Sequence, residues 1–211
     1  LVIGAADMGT GCDTILAQMV AEHMECSVDD VSVFGADTDA SPYDSGSYAS
    51  STTYVTGMAV EKACAQLKER FCAIAAEVLG CAADELAFEG GCVVRESTGE
   101  TVSLPAIAEK SQCNSCQLAE ATAMHSSPVS PPPFMVGMAE IELDRETGTV
   151  EVLNFDAVVD CGIPINPALA RIQVEGGIVQ GIGHTLMEDV TRTPKGAIRE
   201  SSLFTYRLPT R

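Results

Sequence analysis

Two periods of hydrophobic and polar residues run along the 211-residue chain, and the places where one gives way to the other mark its elements. Residues 1–5 are apolar and short, which predicts the end of a strand. Asp7-Met8-Gly9-Thr10-Gly11-Cys12-Asp13-Thr14 then predicts a glycine turn. Over residues 15–22 apolar side chains recur at i, i+1, i+4 and i+5, which lines one face of a helix, with Asp13 or Thr14 as its N-cap. Residues 31–34 predict a strand. Residues 35–53 hold almost no large apolar side chain and are rich in Asp, Ser, Thr, Gly and Pro, the composition of a functional or disordered loop. Ala59, Ala63, Leu67, Phe71 and Ala75 set a helical spacing over 54–80, with Gly80 as its stop. Residues 87–95 and 101–104 predict two strands joined through Ser97-Thr98-Gly99-Glu100, and 105–110 a short helix.

The Pro/Ser-rich stretch 126–133 must be extended, because each proline disfavours the helical region for the residue before it. It is the expected internal boundary, dividing 1–125 from 126–211. Beyond it, alternation over 134–143 and 149–159 predicts a hairpin turning through Asp144-Arg145-Glu146-Thr147-Gly148. A turn at Asp160-Cys161-Gly162 leads to a long helix over 167–188 that carries Gly176, Gly177, Gly181 and Gly183. Each such glycine costs about 1 kcal/mol relative to alanine. Four of them are explained if another backbone or a ligand lies against that surface, or if the helix packs tightly through small residues. No internal repeat is present. Hairpins and long helices together predict an α+β fold with mixed sheets.

Charge narrows the partners. Thirty acidic residues against 12 basic ones give a net charge of -18, and the basic residues are scattered singly, so neither nucleic acid nor an anionic membrane is expected. No apolar run approaches the roughly 20 residues of a membrane span. Without a basic start or a cleavage region the chain reads as cytoplasmic, and its ends, LVIGAADMGTG and LFTYRLPTR, read as cut from a longer protein. Nine cysteines in such a chain are expected to be reduced and mostly buried. The one CxxC, Cys113 and Cys116, has no second ligand pair nearby.

Three segments could carry chemistry. Met8-Gly9-Thr10-Gly11 opens a helix, where backbone N–H groups suit a phosphate or pyrophosphate, or it is simply a tight strand-to-helix turn. Ser47-Tyr48-Ala49-Ser50-Ser51-Thr52-Thr53 sets several hydroxyls before a long helix, fit for an oxyanion or polar heterocycle or for ordinary capping. Asn166-Pro167 followed by Gln173-Val174-Glu175-Gly176-Gly177 offers an amide that both donates and accepts. The three histidines, His23, His125 and His184, are far apart, and Asp37 and Asp39 read as turn-formers. No Gly-x-Ser-x-Gly elbow is present, and no catalytic or metal-ligating residue is assigned.

In this order the segments resemble the molybdenum-binding subunit of the molybdenum hydroxylases, the xanthine dehydrogenase and aldehyde oxidase type, over nearly the whole chain. Met8-Gly9-Thr10-Gly11 resembles the family's Met-Gly-Gln-Gly turn. Asp37-Thr38-Asp39 through Ala49-Ser50-Ser51-Thr52-Thr53 resembles its Asp-Thr-Asp … Ala-Ser-Arg-Thr-Thr segment. Ser130-Pro131-Pro132-Pro133-Phe134 and Asp160-Cys161-Gly162 … Asn166-Pro167 … Gln173-Val174-Glu175-Gly176-Gly177 … Gln180-Gly181-Ile182-Gly183 are similar to the stretch before its last cofactor contacts. The resemblance implies that Gly9, Thr10, Gly11, Ala49, Ser50, Ser51, Thr52, Asn166 and Gln173 bind molybdopterin, as such or as its cytosine dinucleotide. It also implies 2Fe-2S and FAD groups on partner domains or subunits, and oxidative hydroxylation of an N-heterocycle or aldehyde. The metal would be held by the pterin dithiolene rather than by a protein thiolate. Two residues depart from the pattern: Thr10 stands for the family's Gln and Ser51 for the Arg of many members. The family's glutamate in a Gly-Val-Gly-Glu-Pro context and its Gly-Gly-x-Phe-Gly loop are not found in the 211 residues. The alternatives are a silent binding or assembly domain of the same fold, which Thr10 favours, and an unrelated nucleotide-binding domain resting on Gly9 and Gly11 alone.

Overall fold

In a computed structural model, described for residues 1–114 and 118–210, the chain divides into two compact units, Leu1–Ser130 and Pro131–Arg211. The division falls inside the Pro/Ser-rich stretch. The CxxC reading lies partly outside the described residues, since Cys116 is not among them.

The first unit is built on two packed helices, α1 (Cys12–Met24) and α2 (Thr52–Leu79). Strand β1 (Val2–Ile3) pairs in parallel with β2 (Phe34–Gly35), Val2 opposite Phe34 and Ile3 opposite Gly35. The strand expected at 31–34 is thus shifted toward Gly35, and a 3-10 turn at Val28–Asp30 precedes it. Helix α1 starts three residues earlier than the apolar spacing, with Gly11 as its N-cap rather than Asp13 or Thr14. Gly11 is left-handed (φ 76°), which lets the chain enter the helix through backbone geometry alone, without a capping side chain. Helix α2 ends at Gly80, also left-handed, as its sequence predicts.

Residues 87–95 do not form one strand. Gly90 and Gly91 both take positive φ and fold them into a hairpin, β3 (Leu86–Glu89) against β4 (Cys92–Arg95), and β4 pairs on its other edge with β5 (Thr101–Ser103). A Gly-Gly pair between β-rich halves is a hairpin signal that the apolar run obscured. Helix α3 (Leu104–Asn114) follows directly. The core gathers Ile3, Leu16, Val60, Ile74, Val93, Val102 and Ile107, and every buried apolar side chain among the described residues lies between Ile3 and Ile107.

The second unit has the predicted hairpin and long helix: β6 (Phe134–Leu143), β7 (Val150–Asp160) and α4 (Pro167–Leu186). The ladder slips between Glu140 and Ile141, leaving Leu153 as the extra residue of a bulge. One face of the ribbon is wholly apolar, Met135, Ala139, Ile141 and Leu143 lying opposite Val159, Phe155, Val152 and Val150. None of these side chains is buried, and Met135, Ile141 and Leu143 are each more than half exposed. This unit is therefore regular in its secondary structure and has no apolar core among its described residues. No described helix is long and apolar enough to cross a membrane.

Candidate functional site

Parallel pairing of β1 and β2 sends both chains out of the same end of the small sheet. The first continues into the turn 8–11, the second into the polar segment 35–53. Exits at the carboxyl ends of parallel strands are where open α/β arrangements place ligands. The two exits stay close: the Ala36 amide donates to the Ile3 carbonyl at 3.1 Å, and a Cβ added to Gly4 would sit 2.3 Å from the Pro42 carbonyl oxygen. The polar segment is thus held at Gly4 by an approach that only a residue without a side chain permits. Within it, Asp37 accepts from the Asp39 amide at 2.9 Å, the turn-forming role expected of this pair.

The turn before α1 has an internal ligand. Asp7 Oδ1 accepts from the Gly9 amide at 2.9 Å and from the Gly11 amide at 3.1 Å. Those bonds, the Gly9 one foremost, hold the Asp7 carboxyl below the usual carboxylate range. Two N–H groups that the sequence offered to a phosphate are thereby engaged by the chain itself. Cys12, buried behind the turn, has its thiol pushed up to about 11, first by burial and then by the charges of Asp7 and Asp13. It is a neutral thiol at physiological pH and so not poised as a nucleophile. Thr10 is half-buried, and its Oγ1 is sealed from solvent without a hydrogen bond of normal geometry. No side-chain atom fills the space where a Gly9 Cβ would stand.

The second segment has unusual backbone. Ala49 and Ser50 both adopt left-handed conformations (φ 55° and 54°), which non-glycine residues rarely do in succession. Ser51 is the N-cap residue of α2 and makes no side-chain capping bond, while Thr52 Oγ1 donates to Ser47 Oγ at 2.7 Å. An ordinary capping role for Ser51 is therefore not what the structure has, and the first amides of a 28-residue helix lack a side-chain cap.

In the second unit Asn166 is the N-cap of α4, its Oδ1 accepting from the Leu169 amide at 3.1 Å. Gln173 lies exposed less than two turns further on. Among the described residues Gly176, Gly177 and Gly181 meet no side chain or neighbouring backbone within 4 Å, whereas Gly183 lies against Glu188 and Pro209. The histidines are dispersed: His125 meets Lys62 at 3.0 Å, His184 meets Glu188 at 3.6 Å, and His23 closes α1.

Sequence reasoning passed over Asp7 as a site residue. Its signal was an aspartate two positions before a glycine, the pattern of an Asx-turn. The left-handed pair at Ala49 and Ser50 had no such signal.

These features suit a bulky polar cofactor. In the first unit the start of α2 lacks a side-chain cap and follows the left-handed Ala49 and Ser50, which leaves backbone donors for a polar group. In the second, considered by itself, the Gly176, Gly177 and Gly181 face of α4 is open among the described residues. Small mixed sheets, long helices and polar loops at the strand ends make up an α+β fold. The chain belongs to the molybdopterin cofactor-binding domain family, whose match covers residues 1–211.

Relatives say which proteins carry such a domain. The chain is 33% identical over 207 residues to a probable hypoxanthine oxidase of Escherichia coli (strain K12), covering 98% of this chain and 22% of that protein. It is 34% identical over 213 residues to a putative xanthine dehydrogenase molybdenum-binding subunit of the same organism, covering 98% and 28%. Among solved structures it is similar to quinoline 2-oxidoreductase from Pseudomonas putida 86, with a TM-score of 0.80 at 28% identity, covering 98% of this chain and 27% of that one. The chain thus spans about a quarter of the length of these relatives.

Proposed function

We propose that this chain is the part of a molybdenum hydroxylase subunit that binds and orients the pterin cofactor. The parent protein would oxidatively hydroxylate an N-heterocycle or an aldehyde, in keeping with the oxidase and dehydrogenase names of its relatives. When bound, the cofactor supplies the oxidation–reduction chemistry. This chain's residues supply binding and orientation. Gly9, Thr10 and Gly11 form a turn that allows close approach, and Ala49, Ser50, Ser51 and Thr52 present backbone and hydroxyl groups at the start of α2. Asn166 sets the start of α4, and Gln173 adds an amide on the same helix as Gly176, Gly177 and Gly181, which meet no neighbour within 4 Å among the described residues. Residues 1–125 and 126–211 act as two cofactor-binding lobes. Electrons would leave through 2Fe-2S and FAD groups on partner domains or subunits.

The single observation that carries this reading is the family match over residues 1–211, which takes in the glycine turn, the hydroxyl-rich start of α2 and the glycine-bearing helix α4. Its test is made on the assembled parent enzyme, produced in a host that makes molybdopterin, by measuring bound molybdenum and released pterin together. Near-stoichiometric amounts of both are expected, and replacing Gln173 by Ala should lower occupancy or turnover about tenfold by leaving cofactor groups unpaired. A parent protein holding neither molybdenum nor pterin would refute the reading in favour of a silent assembly domain.

A further inference from the structure

We propose that residues 118–130 form a strap laid along α2, and that this strap and the polar segment 35–53 together brace the start of α2, which has no side-chain cap of its own. The brace fixes residues 47–52 at that helix start. It rests on the geometry of the first unit alone, not on the identity of any ligand.

Three side chains of α2 hold the strap. Arg70 Nη1 donates to the Leu118 carbonyl at 3.4 Å, Lys62 Nζ meets His125 Nδ1 at 3.0 Å, and Tyr54 Oη donates to Ser130 Oγ at 3.5 Å. As the strap runs forward from Leu118 to Ser130, its partners run backward along the helix, so the two lie antiparallel. Each step of eight residues between these partners is about 12 Å along α2 and about 80° around it, so the contacts trace an oblique path over the helix. The strap's own exposure has period two. Ala119, Ala121, Ala123, His125 and Ser127 are half-buried, whereas Leu118, Glu120, Thr122, Met124 and Ser126 are exposed. That is the alternation of an extended chain with one side against a surface. His125 belongs to the half-buried set and meets Lys62, which turns that set toward α2. The three alanines among the inner positions let the chain lie close to the helix. No β-ladder holds it, since residues 118–130 belong to no described strand.

Chain length does not enforce this path. From Leu118 to Ser130 an extended chain could reach about 40 Å, whereas Tyr54 to Arg70 spans about 24 Å of helix. The course over α2 is therefore set by the side-chain contacts. Ser130 is the last residue of the first unit, and its partner Tyr54 lies in the first turn of α2. On either side of Tyr54, Thr52 Oγ1 donates to Ser47 Oγ at 2.7 Å and Thr56 Oγ1 to Asp44 Oδ2 at 3.5 Å. Side chains at 52, 54 and 56 thus hold the polar segment and the strap in alternation. A helix start whose first amides lack a side-chain partner frays readily. Here ties from two segments remote in sequence stand in for the missing cap, and loosening the strap loosens the segment that shares that turn.

Backbone 15N relaxation and amide exchange, measured by NMR on the uniformly labelled 211-residue chain, test this. In the wild type the amides of 119–127 should be as rigid on the ps–ns timescale as those of α2. Lys62→Ala combined with Arg70→Ala removes two exposed side chains, so the fold should survive while 119–125 become mobile. Tyr54→Phe keeps the ring and removes only the donor; it should free Val129 and Ser130 and leave 119–123 rigid. The Val55 amide donates to the Ser51 carbonyl at 2.9 Å and reports on the helix start. Its exchange should quicken about threefold or more in both variants, with α1 and β3–β5 unchanged. A strap already mobile in the wild type, Val55 exchange unmoved in both variants, or faster exchange spread evenly over α1 and β3–β5 would each overturn the proposal. None of these readouts needs a cofactor. Absence of molybdenum from the parent enzyme would therefore defeat the cofactor reading and leave the strap standing.

Discussion

The carboxylate of Glu25 accepts the Gly90 amide at 2.6 Å, binding the end of α1 to the turn between β3 and β4, two places 65 residues apart in sequence. Lys68 of α2 joins the same carboxylate at 3.2 Å, so one side chain ties together three elements of the first unit. The Gly90 bond foremost, and then Lys68, hold the Glu25 carboxyl below the usual glutamate range. A depressed carboxyl stabilises the fold above its unfolded value of about 4.3, and that contribution is lost as pH falls through the lower folded value. Glu25→Gln should therefore lower stability modestly near neutral pH and flatten the acid side of the stability profile, since the group is exposed and screened. Denaturant midpoints measured between pH 3 and 7 would check it; parallel acid limbs for wild type and variant would contradict it.

Two glycines are close-packed for different reasons, and alanine should separate them. At Gly57 a Cβ would meet the terminal methyl of Met19 at 2.7 Å, a flexible tip that can move aside. The helix gains about 1 kcal/mol from alanine there, so Gly57→Ala should lie within about 1 kcal/mol of wild type. At Gly4 the obstacle is the Pro42 backbone carbonyl at 2.3 Å, which can move only with the polar segment. Gly4→Ala should cost about 1–3 kcal/mol and perturb residues 35–53. Equal midpoints for the two variants would show that the segment is not held at Gly4.

Leu16 is fully buried between the first unit's helices, whereas Ile141 is 53% exposed on the apolar ribbon. Leu16→Ala should cost about 2–5 kcal/mol, and Ile141→Ala in the 211-residue chain less than about 1 kcal/mol. Hydrogen exchange should follow the same division, slow in α1 and α2 and fast over 134–160. Slow exchange throughout β6 and β7 would show that the ribbon is covered.

Cysteine reactivity should sort by surroundings. Cys12 is buried with its thiol pushed up to about 11, while Cys113 and Cys161 are exposed. Iodoacetamide at about pH 8 should modify the exposed pair first and leave Cys12 intact until the chain unfolds. Mass spectrometry of timed digests would read the order, and early labelling of Cys12 would disprove its burial.

Much of this protein was legible in its sequence because the information was local. The Ala-rich spacing through Leu67 and Phe71 makes α2 a helix wherever it lies, Gly80 stops it, and Asp144 to Gly148 turns the β6–β7 hairpin. The ordered glycine, hydroxyl and amide segments pointed to the pterin family because motif order survives without coordinates. Tertiary structure decided what those segments have to spend. Whether the Gly9 and Gly11 amides face a ligand or the chain's own Asp7 depends on a turn geometry that composition does not set. The demand for glycine at position 4 arises from a carbonyl 38 residues away, and the Glu25–Gly90 tie spans 65 residues. Such pairings are made by close packing of segments remote in sequence, and no periodicity along the chain records them.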